Sequence, residues 1–305
     1  MNVNLQKTGA HTQIVLVNFG NWQDTIECLN SLENLSSDFS LVLSEVCNIN
    51  DSRSHLYPVV EQKFPDAKII ELSENRGFAH ANNAAIKYII AQTDSPYIWL
   101  LNNDTLPEPD SLSELVNFYE NKSRDEKVGF LGSRILYADR PDIIQTFGGR
   151  FNPKTGYSVL LGKGEKDREF SELALETDYV IGASMFFHKS LINKIGRMPE
   201  DYFLYYEDID WCLTAKEAGY KNYTCLASRI LHKQGGSTGN KYGKSKSKNL
   251  STRKYMYSSY LKLYKKKYPE RINRARLILL KQFLGRLRRF NWKEALIVLK
   301  VLLNR

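Results

Sequence analysis

Nowhere in the 305 residues do about 18 apolar residues follow one another, so no helix is expected to span a bilayer. The longest late apolar run, Ala295 to Leu303, is too short and is interrupted by Lys300. The first residues, Met1 to Lys7, lack the long apolar core of a signal peptide. Cysteine is sparse. Cys28, Cys47, Cys212 and Cys225 are widely spaced and form no CxxC pair, so neither a zinc knot nor a disulfide framework is indicated, and reduced thiols in a cytosolic protein are the default. No GxGxxG fingerprint occurs, which disfavours a dinucleotide site. Acidic residues are nearly missing from the end of the chain. Residues 240–305 hold 20 Lys+Arg against 2 Asp+Glu, a net of +18, whereas residues 1–239 hold 23 against 32, a net of −9. A mildly acidic body thus carries a strongly basic tail, which points to an anionic partner for the tail.

What is present is the composition of a globular protein, with 42% hydrophobic and 25% charged residues, which argues against disorder of the whole chain. Short apolar runs at Gln13 to Phe19, Leu41 to Cys47, Lys68 to Leu72 and Tyr97 to Leu101 read as strands. Between them, Asp24 to Leu35, Tyr57 to Phe64 and Asn82 to Ala91 read as helices. This alternation predicts a doubly wound, mostly parallel, Rossmann-like sheet, whose ligands sit at the carboxyl ends of its strands. Asn18, Asn48 to Asp51 and Asn102 to Asp104 fall at such ends. Hairpins and loops are expected over 135–180, a strand over Thr177 to Phe187 with Gly182-Ala183-Ser184 inside it, a helix over Ile209 to Ala218 and a strand from Tyr223 to Leu231. A basic linker follows at Gly239 to Lys248, then helices over Tyr255 to Tyr268 and Ile272 to Leu303. The division expected is a catalytic domain over 1–239 and a basic, helical C-terminal extension over 240–305.

The densest chemistry lies in Phe203-Leu204-Tyr205-Tyr206-Glu207-Asp208-Ile209-Asp210-Trp211. Three carboxylates flanked by aromatics suit a general base in a partly dry cleft, because close carboxylates raise one another's pKa. An acidic helix start is the plainer alternative. At a strand end, Asn102-Asn103-Asp104 offers one carboxylate, and one carboxylate plus substrate phosphates is a common way to hold Mg²⁺ or Mn²⁺. His232 closes another strand and becomes a candidate ligand if its imidazole faces Asp104. Arg76-Gly77, with Asn82-Asn83 near a helix start, suits phosphate.

In this order these segments resemble family 2 glycosyltransferases of the GT-A fold, and most closely the bacterial rhamnosyltransferase-type members that build surface polysaccharides such as O-antigen. The resemblance covers about residues 12–240 and includes Ile14 to Phe19, Glu74 to Phe78, Leu101 to Thr105, Ile181 to Met185, Phe203 to Trp211, Ala218-Gly219-Tyr220 and His232 with Gly235-Gly236-Ser237. It implies an inverting transferase with a nucleoside diphosphate sugar donor and a divalent cation, Mn²⁺ or Mg²⁺. Asn102-x-Asp104 takes the DXD position, with Asn in place of the first Asp, and His232 completes the metal site. Asp208 matches the catalytic base. Asn18, the Asn48 to Asp51 segment, Arg76, Gly77, Asn82, Asn102 and Asn103 fall on the donor side. The second of these departs from the usual Asp-Asn-x-Ser pattern, leaving open whether Asn48 or Asp51 contacts the nucleoside. Gly182, Ala183, Tyr206, Glu207, Asp210 and Trp211 fall on the acceptor side, with a core role for the aromatics as the alternative.

The resemblance makes dTDP-rhamnose the first donor choice and UDP-hexoses the second, and a lipid-linked glycan the expected acceptor. In the tail, Leu277, Leu280, Leu284 and Leu287 recur at helical spacing among Arg and Lys, which suits an anionic membrane surface, here the inner face of a bacterial cytoplasmic membrane. Nucleic acid is the weaker reading, since no recognised binding motif accompanies the charge. A non-catalytic nucleotide-sugar or glycan-binding module is the rival to an enzyme, and homo-oligomerisation is left open.

Overall fold

The computed structural model describes residues 11–233 and 250–303. Gly235-Gly236-Ser237, the expected linker and the expected boundary at 239/240 lie outside the described residues. The chain opens with β1 (Thr12–Asn18), α1 (Trp22–Leu32), β2 (Phe39–Val46), α2 (Ser52–Lys63), β3 (Lys68–Leu72), α3 (Phe78–Gln92) and β4 (Tyr97–Asn102). β1 pairs in parallel with β2 and β4, and β2 with β3. Their side chains alternate between two apolar layers. Ile14, Leu16, Leu43 and Trp99 meet Leu29 and Leu32 of α1 and Leu56 of α2, while Val15, Val42, Ile98 and Leu100 meet Ile86 and Ile89 of α3. Strands buried on both faces carry near-continuous apolar runs, as the sequence does here.

β5 (Thr105–Pro107), α4 (Ser111–Lys122), β6 (Val128–Tyr137), β7 (Arg140–Thr146), β8 (Gly149–Asn152), β9 (Tyr157–Leu160), β10 (Ala174–Thr177), β11 (Ser184–His188), α5 (Ser190–Ile195), α6 (Glu207–Glu217) and β12 (Lys221–His232) complete the body. The sheet runs β10-β12-β6-β11-β4-β1-β2-β3. β11 is antiparallel to β4 and β6, whereas β12 is parallel to β6. β8 and β9 form a separate hairpin.

Three helices follow: α7 (Leu250–Lys267), α8 (Ile272–Arg288) and α9 (Trp292–Leu303). Despite their charge they are built into the body. Tyr257, Leu263, Tyr264, Leu279 and Val298 share one core with Phe187 and Trp211. Asp210 of α6 is fully buried and takes Lys266 Nζ at 2.6 Å, tying α6 to α7. Among the described residues no helix is long and apolar enough to cross a membrane.

Two expected elements differ. The strand read over Thr177 to Phe187 forms only from Ser184 onward, β10 ending at Thr177, because Ser184 N–H closes a turn on Ile181 O at 3.1 Å and Gly182-Ala183 sit in that turn. The helix read over Ile272 to Leu303 breaks at Phe290, where φ is +55°. Asn291 then caps α9, with its Oδ1 accepting from Glu294 N at 3.4 Å and its Nδ2 donating to Glu294 Oε2 at 2.9 Å, which starts α9 afresh.

Candidate active site

Short β5 decides the centre of the site. It pairs antiparallel with the end of β12, and the register sets Thr105 opposite His232. Asp104, one residue before, is thereby brought to the imidazole: His232 Nε2 lies 3.1 Å from Asp104 Oδ1, across 128 residues of sequence. Both residues are buried. On the other side of the ring, His232 Nδ1 lies 2.6 Å from Gln145 Oε1 on β7. With that oxygen toward the ring, Nδ1 carries the proton and Nε2 turns a lone pair to Asp104. Two acceptors at that distance call for a cation or a second ring proton between them.

Asp104 Oδ1 and His232 Nε2 fit a divalent ion. Adjacent donors of an octahedral ion with bonds of roughly 2.1 Å stand about 3 Å apart, close to the separation seen. Among the described residues no group of three or more His, Cys, Asp or Glu converges on one point, so the pair would share its ion with ligand or water oxygens.

Asp208 reaches the same end of the sheet by a backbone route. Asn102 N donates to Ala183 O at 3.1 Å, and the neighbouring Gly182 N donates to Asp208 Oδ2 at 3.1 Å. Asp208 Oδ1 accepts from Ile209 N at 2.8 Å. The residue is half-buried, and burial raises its carboxyl pKa against these hydrogen bonds. Glu207 beside it is buried, and burial, then the charge of Asp208, pushes its carboxyl up. Tyr206, just before, adopts left-handed backbone with φ of +72° and packs edge-on to Tyr260 of α7, ring centroids 5.9 Å apart.

The expected donor residues divide. Asn18 is fully buried and its amide is engaged at both ends: it donates to Glu45 Oε2 at 2.7 Å and accepts from Thr25 Oγ1 at 2.7 Å. Asn103 Nδ2 donates to the same Thr25 at 2.7 Å. These two amides brace the strand ends internally. The buried Asn82 amide likewise donates to Phe78 O at 2.9 Å within α3. Gly77 is required for a different reason from phosphate contact. Its φ is +98°, and a Cβ there would stand 2.2 Å from Phe203 O. The close approach lets Phe78 N donate to Phe203 O at 3.1 Å, docking the loop that leads into Asp208 onto α3. Arg76 and Asp51 remain exposed, and Asn48 is half-buried, with its side-chain oxygen accepting from Arg53 N at 3.0 Å. Asn102 is half-buried, its carbonyl taking Thr105 Oγ1 at 2.7 Å.

On the expected acceptor side, Gly182, Ala183 and Glu207 adjoin Asp208, and Tyr206 adjoins it in sequence. Asp210 and Trp211 do not belong with them. Asp210 is fully buried in its lysine contacts, and Trp211 packs between Phe130 and Phe187 with Nε1 donating to Gly196 O at 3.0 Å. On a helix, positions three and four after Glu207 turn inward to the core.

Sequence reasoning missed Gln145, Glu45 and Tyr179. Gln145 lies in a stretch read as irregular, so no signal marked it. Glu45, fully buried and raised in pKa by burial, was visible as a lone carboxylate in an apolar strand. Tyr179 is buried near Asp208; burial, with Asp208 adding to it, pushes its phenol up to about 12.

The family model described as Glycosyl transferase family 2 matches residues 13–196. Among curated proteins, the low-salt glycan biosynthesis hexosyltransferase Agl10 of Haloferax volcanii is 22% identical over 221 residues, 72% of this chain and 66% of its own length. Rhamnosyltransferase WbbL of Escherichia coli is 27% identical over 166 residues, 51% of this chain and 60% of its own. The N-acetylglucosaminyl-diphospho-decaprenol L-rhamnosyltransferase of Mycobacterium tuberculosis is 22% identical over 198 residues, 58% and 62%. This chain therefore spans less than two thirds of each of these relatives. Among solved structures, GalNAc-T7 with UDP, GalNAc and Mn²⁺ superposes with a TM-score of 0.58 at 11% identity, over 85% of this chain and 48% of that one. S. aureus TarS 1-349 superposes with a TM-score of 0.54 at 14% identity, over 95% and 90%. At these identities the solved structures bear on the fold alone, which is that of GT-A glycosyltransferases.

Proposed function

Because the chain belongs to glycosyl transferase family 2, we propose that it moves a sugar from a nucleoside diphosphate donor to a hydroxyl of a growing glycan, with inversion at the anomeric carbon. L-rhamnose from dTDP-rhamnose is the first choice of donor and a UDP-hexose the second, in keeping with the names of the curated relatives. A lipid-linked glycan is the acceptor class, as the name of the mycobacterial relative suggests.

One observation carries this reading: Asp104 and His232 meet at 3.1 Å beside a strand end whose backbone is joined, through Ala183 and Gly182, to Asp208. Asp208 takes the proton of the acceptor hydroxyl as its oxygen bonds to the anomeric carbon and the bond from that carbon to the diphosphate breaks. A raised pKa makes Asp208 a stronger base once ionised. Asp104 and His232 would hold Mn²⁺ or Mg²⁺, which supplies positive charge to the leaving diphosphate. Gln145 orients the imidazole, and Gly182 N orients the base.

Residues 1–239 form the catalytic unit in this reading, and 240–305 place it on the inner face of a bacterial membrane. Leu277, Leu284, Phe290, Trp292, Leu296 and Leu303 are exposed apolar side chains on α8, α9 and the turn between them, within a segment of net charge +18. Apolar side chains set among cations suit an anionic lipid interface.

The test is Asp208→Asn assayed with dTDP-rhamnose and UDP-hexoses. The expected result is turnover lower by roughly 10²–10⁴-fold with donor binding kept. Retention of most turnover overturns the assignment of the base.

A further inference from the structure

We propose that a basic cleft between α7, α8, α9 and the tip of the β8–β9 hairpin binds the diphosphate of a lipid-linked acceptor. This rests on the transferase reading above and assigns a second site to it. The cleft is about 560 Å³ and is lined by Arg253, Lys281, Arg286 and Arg289, by Glu294, and by Tyr157 at the hairpin. Its one carboxylate is already engaged, since Glu294 Oε1 takes both Arg253 and Arg286. Lys281 and Arg289 are exposed and make no salt bridge among the described residues. The cleft therefore presents uncompensated positive charge, including the planar donor fork of Arg289, to an incoming phosphate.

A second observation is independent of charge. Gly285 lines the cleft from the last turn of α8. A Cβ there would meet nothing within 4 Å. The missing side chain leaves the backbone of the cleft wall open at this point.

Two further features choose the diphosphate of an acceptor over an isolated anion. On α8, Leu277, Leu280 and Leu284 form an exposed apolar stripe beside the cationic one, offering a lipid tail a face next to its head group. At the other end, Gly156, just before Tyr157, packs on Tyr260, and a Cβ there would stand 2.5 Å from the Tyr260 hydroxyl. Tyr260 in turn packs on Tyr206, two residues from Asp208. The leucines thus offer a tail a face beside the cleft, and the packing of Gly156 on Tyr260 and of Tyr260 on Tyr206 ties the cleft to the segment that carries Asp208.

The experiment is calorimetric titration of the full chain with farnesyl diphosphate, farnesol and inorganic pyrophosphate. It is run beside co-sedimentation with phosphatidylcholine vesicles containing phosphatidylglycerol. For the double variant Lys281→Gln/Arg289→Gln, farnesyl diphosphate affinity is expected to fall by about tenfold or more, with dTDP and UDP affinity and the unfolding midpoint unchanged. Gly285→Leu, which keeps every charge and improves helix propensity, is expected to block farnesyl diphosphate as well. The absence of saturable binding by the wild type, or retention of binding in the double variant, overturns the proposal. Loss of vesicle binding alone also overturns it, because the cations then serve phospholipid head groups. Transfer that persists while farnesyl diphosphate binding ignores Lys281 and Arg289 sinks the cleft and leaves the transferase standing. Farnesyl diphosphate binding that depends on them in a protein transferring no sugar does the reverse.

Discussion

If Asp104 and His232 hold the proposed ion, replacing Gln145 by Leu should weaken its binding without touching either residue. In the folded chain Gln145 Oε1 lies 2.6 Å from His232 Nδ1, and both residues are buried. The amide fixes the proton on Nδ1 and leaves Nε2 as the free base facing Asp104. Leucine is close in volume but accepts no hydrogen bond. The ring then gains by moving its proton to Nε2, where it can donate to Asp104 Oδ1 at 3.1 Å. That proton occupies the position a cation needs. Loss of such an orienting partner typically costs 10–100-fold in metal affinity, about 1.4–2.7 kcal/mol. The fold itself should lose about 1 kcal/mol, the net worth of one hydrogen bond. The assay is half-activation by Mn²⁺, read beside the Mn²⁺-induced shift of the unfolding midpoint, which needs no turnover. Gln145→Glu keeps an acceptor and should bind Mn²⁺ at least as tightly as the wild type. Unchanged Mn²⁺ dependence in Gln145→Leu would refute the tautomer argument, and with it the pairing of His232 and Asp104 around an ion.

Glu207 should make the protein less stable as pH rises. Its carboxyl is raised by burial and by Asp208, so between the ordinary Glu pKa of about 4.3 and the raised value the native state binds more protons than the unfolded state, and stability falls with increasing pH. Glu207→Gln removes this loss. The gap in unfolding midpoint in favour of the variant should widen from acid toward neutral and alkaline pH, and a constant gap would contradict the account. For Gly77→Ala, the left-handed backbone costs about 1–2 kcal/mol before any clash with Phe203 O is counted, so a loss of at least about 2 kcal/mol is expected by denaturant unfolding. Turnover should drop with it, because the displaced loop leads into Asp208; a stable and fully active variant would show that the loop does not need this contact.

Much of the architecture was legible because its signals are local. The runs at Ile14 to Val17 and Tyr97 to Leu101 are apolar at every position, as strands covered on both faces require, and they became part of β1 and β4. The break in the last helices was legible too, in Asn291 and Glu294, but was read through. The density of carboxylates marked Asp208 and Asp210 alike, and only the helical positions separate them, since Asp210 is turned toward Lys266.

By itself, then, the sequence determined the alternation of strands and helices, the membership of the family and the acidic segment at the start of α6, since period, composition and ordered motifs are written along the chain. Only the tertiary structure decided which side chains meet. The pairing of β5 with β12 brings Asp104 to His232, β7 supplies Gln145 to the ring, and the buried tyrosines of α7 turn a basic tail into part of the core. Those contacts join positions tens to more than a hundred residues apart, and hydrogen bonding and burial at that separation leave no periodic trace in the sequence.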